Sequence, residues 1–181
     1  MTQKTNNTIV TQEELQKLFL SLLNEKDKNK NNCVQTVEHN QHLISKKPLY
    51  SKNLAHGLAI VIIKNNYAAL GHFDGHINLK NAIKEMITDL WIYTPSKEDF
   101  TSAVFGGDSN LFKSCQSILL GYDILPKRYA CYHDGQSEIL YNKHKKLDLK
   151  EIIVEPENSV IIGKSARGYM LLNDDLRRLG Y

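Results

Sequence analysis

Three positions between Ser51 and His72 have the spacing of a small catalytic unit. In SKNLAHGLAIVIIKNNYAALGHFDGH (51–76), Ser51 precedes an apolar run and His72 closes the strand that returns from it. A histidine at that point can act as general base for a nucleophile at the start of the first strand. Ser51 could orient it through its hydroxyl. The place such a nucleophile would take holds Gly57, which has no side chain to attack with. The bland alternative is a partly buried histidine satisfied by a neighbour.

Other chemistry-bearing residues form weaker patterns. His72, Asp74 and His76 alternate, and strand geometry would point all three one way. Asp74-Gly75 reads as a turn, which would break that alignment, so no metal site is expected. Cys131 and His133 share one strand face but make neither a triad nor a closed metal site. Cys115 falls on the apolar stripe of a helix and reads as core. Nothing near Cys33 in the sequence would lower its pKa. FGGD, from Phe105 through Gly106 and Gly107 to Asp108, offers backbone N–H groups ahead of a helix, a cradle for an amide or anion; the other reading is a plain tight turn.

The elements that must carry these residues are legible in outline. Thr11 with Glu14 is a capping box, and Leu15, Leu18, Phe19, Leu22 and Leu23 follow on one helical face. EKDKNKNN (25–32) reads as a solvated linker. LAIVII (58–63) is continuous and β-branched, the mark of a strand buried on both faces. Asn65 and Asn66 tolerate the positive φ of a tight turn into YAALGHF (67–73). Ala68, Ala69 and Gly71 there imply a closely packed layer.

NAIKEMITDLW (81–91) predicts a second helix with Ala82, Ile83, Met86, Ile87, Leu90 and Trp91 facing inward, ended at Thr94-Pro95-Ser96. FTSAVFGGD (100–108) predicts a strand into a glycine loop. A third helix, capped by Asp108 or Ser109, turns Leu111, Phe112, Cys115, Ile118 and Leu119 inward and stops before Gly121. RYACYHD and SEILYN form a hairpin through Asp134-Gly135. EIIVE and VIIGK add two strands, and Asn173 can cap a short last helix. The sum is an α+β fold with helices over an antiparallel-rich sheet.

Composition sets wide bounds. A chain of 181 residues is long enough for one domain with its own core. The net charge of +3, with four arginines among 23 basic residues, argues against a nucleic-acid partner. No apolar run is long enough to span a membrane, and the first residues lack the apolar core of a signal peptide. Three cysteines without CxxC spacing point to a reducing compartment, or delivery from one.

Taken in order, these motifs resemble the chemoreceptor glutamine deamidase (CheD) family. Its strand-entry motif T-L-G-L-G-S-C is matched by S-K-N-L-A-H-G, with Ser51 at the threonine, Leu54 at the second leucine and Gly57 at the cysteine. L-A-I-V-I-I matches the apolar strand and A-A-L-G-H the strand ending in the catalytic histidine, at His72. A-V-F-G-G-D-S-N-L-F resembles the family's glycine loop, and G-Y-D-I-L-P through S-E-I-L-Y-N its strand, turn and strand. The match covers roughly 50–142. Residues 1–49, a helix and linker, and 143–181, strands and a short helix, look like additions.

The resemblance implies a three-layer α-β-β sandwich and hydrolysis of a protein glutamine side chain to glutamate. No cofactor is called for. Cysteine would attack, histidine activate it, and the threonine hydroxyl orient the histidine. The partner would be a protein presenting glutamine: a chemoreceptor for a cytoplasmic protein, or a host protein for a secreted effector. Ala55, His56 and Gly57 depart from the motif, and Gly57 closes the covalent route. Three readings follow: a deamidase knocked out at position 57; a degenerate relative that binds a partner without turnover; or chemistry supplied elsewhere, by Cys131 or Cys115 reaching the cleft or by His72 activating water.

Overall fold

The computed structural model describes residues 10–24, 33–54, 57–95, 100–106, 109–124, 126–133, 136–139, 149–166 and 168–172. In chain order the elements are α1 (Gln12–Asn24), β1 (Gln35–Thr36), β2 (Gln41–Ser45), β3 (Leu49–Lys52), β4 (Leu58–Lys64), β5 (Tyr67–Phe73), α2 (Leu79–Tyr93), β6 (Thr101–Gly106), α3 (Ser109–Leu120), β7 (Pro126–His133), β8 (Gln136–Ile139), β9 (Leu149–Glu155), β10 (Val160–Ser165) and β11 (Gly168–Leu171). The strands form two sheets, β1-β3-β9-β10-β11 and β2-β5-β4-β6-β7-β8.

The mixed α+β class is therefore as expected. Strand pairs are antiparallel except β1–β3 and β6–β7. The β4–β5 hairpin closes through Asn65 and Asn66 at φ 49° and 63°. Positive φ at both central residues gives the turn the twist of its flanking strands.

Each sheet contributes alternate residues to different layers. Leu58, Ile60 and Ile62 of β4 face Ile83, Met86 and Ile87 of α2 and Phe112, Cys115 and Leu119 of α3. Ala59, Val61 and Ile63 point the other way, against Leu49, Ile152, Val154 and Ile161 of the second sheet. Small residues permit this closeness: a Cβ on Gly71 would lie 2.7 Å from the Phe73 ring and 3.1 Å from Met86 Sδ.

The outer face of the second sheet is covered as well. Phe19 and Leu22 of α1 pack on Ile153 and Ile162, so helices lie on both outer faces where three layers were expected. α1 begins with the predicted capping box: Thr11 N donates to Glu14 Oε2 at 2.7 Å, and Glu14 N donates to Thr11 Oγ1 at 3.2 Å. The Gln12 side-chain amide then reaches β11, donating to Tyr169 O at 2.5 Å and accepting from Tyr169 N at 2.9 Å.

Two stripe residues are not where periodicity put them. Leu18 and Trp91 are 41% and 45% exposed. Each lies at the margin of an apolar face wider than the layer it packs on. The segments flanking residues 50–142 contribute strands to both sheets: β2 joins the six-stranded sheet, and β9 lies between β3 and β10. The linker at 25–32 and the Asn173 helix cap fall outside the described residues.

Candidate functional site

Sheet register brings the three sequence-marked positions together. Ser51 of β3 has the facing of Leu49, and His72 of β5 has that of Ala68 and Leu70, so both point into the layer between the sheets. Their contact crosses that layer: Ser51 Oγ lies 3.0 Å from His72 Nδ1. Gly57 sits just before β4, whose residue Ala59 is opposite His72. Its N–H donates to Leu54 O at 3.3 Å, closing a turn into the strand.

The hydrogen bonds assign the histidine tautomer. Ser51 Oγ also donates to Val37 O at 2.9 Å. A carbonyl only accepts, so the single hydroxyl proton goes to Val37 and Oγ must accept from His72 Nδ1–H. Nε2 is then the bare nitrogen. It is buried and has no hydrogen-bond partner, and it is the atom facing Gly57. The ring is neutral at pH 7, its pKa pushed down to about 4 by burial and by the neighbouring His39. Neutral imidazole with Nδ1 held and Nε2 bare is the form a general base needs.

The same assignment rules out Ser51 as nucleophile, since its proton is committed to Val37 and the residue is fully buried.

Space at Gly57 is the decisive feature. A Cβ there would overlap His72 Nε2, would lie 2.7 Å from its Cδ2, and would be 3.3 Å from Phe73 O. Gly57 is not in the left-handed region, so its backbone would accept any residue; the imidazole is what excludes one. Gly106 packs alongside, paired with Leu58. It has φ 79°, and a Cβ there would meet Gly57 O at 2.5 Å, so glycine is required on both counts.

The remaining predicted residues divide. The Phe105 ring is buried between the sheets; Gly106 borders Gly57. Gly107 and Asp108 lie outside the described residues, as do Ala55 and His56. Asp74-Gly75 is a turn, in which His76 N donates to Asp74 Oδ1 at 2.8 Å. Among the described residues no group of three or more His, Cys, Asp or Glu side chains is placed to hold a metal ion. Cys115 lies on the helix side of the six-stranded sheet, opposite to His72, and cannot reach the site; burial raises its thiol pKa. Cys131 is in β7, with its side chain outside the described residues.

Sequence reasoning missed His39. Its ring is edge-to-face with His72, centroids 5.0 Å apart, and its Nε2 lies 3.2 Å from Asp74 Oδ2. Asn40, at φ 59°, completes the corner: its N–H donates to His72 O at 2.6 Å, and its Oδ1 accepts from Asp74 N at 3.0 Å. The only signal was the pairing of Gln41 with His72, which no local pattern announces. Comparison with known proteins adds nothing to this picture: no family model matches the chain, and no curated protein matches it. No described helix is long and apolar enough to cross a membrane.

Proposed function

We propose that this chain is a glutamine-deamidase-like domain without a nucleophile, acting by binding a protein partner and not by turnover. One observation carries the reading: the imidazole that would serve as base fills the space where the Cβ of a nucleophile at position 57 would sit. The Ser51–His72 pair keeps the orientation of a hydroxyl-steered base. Without a thiol, however, the attack on an amide carbon has no attacking atom. Both side chains are also buried: Ser51 and His72 are 0% and 2% exposed, which does not favour entry of a glutamine side chain. Binding would then use the outer surface of the domain.

The test incubates the chain with glutamine-bearing proteins, the helical cytoplasmic portion of a chemoreceptor among them. Ammonia and the mass gain of each glutamine converted to glutamate are followed. The expected result is no conversion by the chain as it stands. Conversion that disappears with His72→Ala would overturn the reading and make the domain an enzyme.

A further inference from the structure

The His39–Asn40 corner is held to β5 twice over without the His39 side chain, by Asn40 N to His72 O and by Asp74 N to Asn40 Oδ1. The imidazole of His39 is therefore not needed to form the turn. What it does is stand against His72, with its Nε2 anchored on Asp74. Asp74 is a firm anchor. The His76 N–H above all, with help from Asn40 and His39, holds its carboxyl below the usual carboxylate range, and its two oxygens go to different partners. His39 is 54% exposed at its side chain while His72 is almost fully buried, so the contact joins the buried base to a residue at the surface.

His72 is thus bracketed. Ser51 holds Nδ1, Gly57 lies against Nε2 and Cδ2, and the His39 ring closes a third side. To admit any side chain at position 57 the ring must retreat by about 1 Å, from overlap to ordinary contact. We propose that His39, anchored by Asp74, is a positioning residue that keeps His72 in the seat a nucleophile would need, so that the closed site depends on His39 as well as on Gly57. The proposal rests on the deamidase-like reading, and it predicts that Gly57→Cys alone restores little: the new thiol would be crowded, and the base could not take up the geometry in which Sγ hands its proton to Nε2.

The experiment uses the full chain carrying Gly57→Cys, with iodoacetamide as probe and site-resolved mass spectrometry to separate position 57 from the native cysteines. Alkylation joins sulfur to the probe's methylene carbon and expels iodide, and its rate follows the thiolate fraction. Rates are taken from pH 5 to 9 with and without His39→Ala, and with Asp74→Asn, which keeps the size of the side chain but not its charge. At pH 6 the expected gain on adding His39→Ala is tenfold or more, with a smaller gain for Asp74→Asn. Both gains should vanish when His72→Ala is added, because the thiolate is then no longer paired with imidazolium. A gain under twofold overturns the proposal. So does a gain that survives His72→Ala, which would mean that His39 limits access only.

Glutamine conversion is measured on the same proteins. A reactive, His72-dependent thiol with no conversion leaves the positioning role standing and removes the deamidase-like reading. Conversion by Gly57→Cys alone, with no added effect of His39→Ala, supports that reading and overturns the positioning role.

Discussion

Gly57→Ala is the smallest perturbation that tests the site, because it adds one methyl group and no chemistry. On an ordinary backbone, replacing glycine with alanine stabilises by about 0.4–1 kcal/mol through the unfolded chain, and Gly57 does have such a backbone. Against this, the new Cβ would overlap His72 Nε2 and crowd Cδ2 at 2.7 Å, while Phe73 O at 3.3 Å leaves little room to turn away. Overpacking of a buried site costs about 1–3 kcal/mol. The net expectation is destabilisation by about 1–2 kcal/mol, a fall in Tm of about 2–4 °C per kcal/mol for a chain of this size. The origin is checked by a double-mutant cycle in urea unfolding. In a His72→Ala background the ring is gone, so Gly57→Ala should become neutral or slightly stabilising, giving a coupling of about 2 kcal/mol. If Gly57→Ala stabilises the parent chain, or if the coupling is near zero, the imidazole does not occupy the nucleophile's seat and the reasoning fails.

Other consequences can be read independently. His72 has its folded-state pKa lowered from 6.5 to about 4, so the unfolded chain binds its proton first. The stability from keeping the ring neutral is present above pH 6.5 and is lost as pH falls from there towards 4; His72→Ala should flatten that part of a stability–pH curve. Ser51→Ala strands Val37 O and His72 Nδ1–H in the interior, costs about 2 kcal/mol or more, and should shift the ring proton to Nε2 in 15N NMR. Gly106→Ala combines left-handed backbone strain with a Cβ 2.5 Å from Gly57 O, and should lose more stability than Gly57→Ala in the same assay. Phe19→Ala removes a fully buried ring between α1 and the second sheet; a cost of about 3–5 kcal/mol is expected, and a cost under 1 kcal/mol would mean that α1 is not part of the cooperative unit.

The parts legible in the sequence were those with local causes. A capping box, two consecutive asparagines and a run of β-branched residues each act within a few positions, so α1 and the β4–β5 hairpin could be read directly. Gly57 and His72 could be placed together because one hairpin fixes both, whereas Ser51 reaches His72 from β3 of the other sheet. The second sheet was harder. LYSK is short and broken by polar residues, and the partner that makes Leu49–Lys52 a strand is β9, about a hundred residues away. His39 and Asp74 were invisible as a pair for the same reason, since only the β2–β5 ladder brings them together. Leu18 and Trp91 mark a further limit: periodicity identifies the apolar side of a helix, but the width of what it covers depends on the facing layer.

The contact between Gln12 and Tyr169 bears on how copies of this chain avoid one another. Among the described residues β11 is the last strand of its sheet, and an open strand edge is a template on which another chain can add. Gln12 presents an amide N–H and C=O to Tyr169 in the arrangement of one residue of a neighbouring strand. One side chain at the start of a helix thereby takes the hydrogen bonds that a neighbouring strand would make at Tyr169. Gly168 accommodates it closely, since a Cβ there would lie 2.5 Å from the Gln12 oxygen. Removal of α1 would therefore uncover both an apolar face and an unpaired ribbon of peptide groups, and self-association is its expected first symptom.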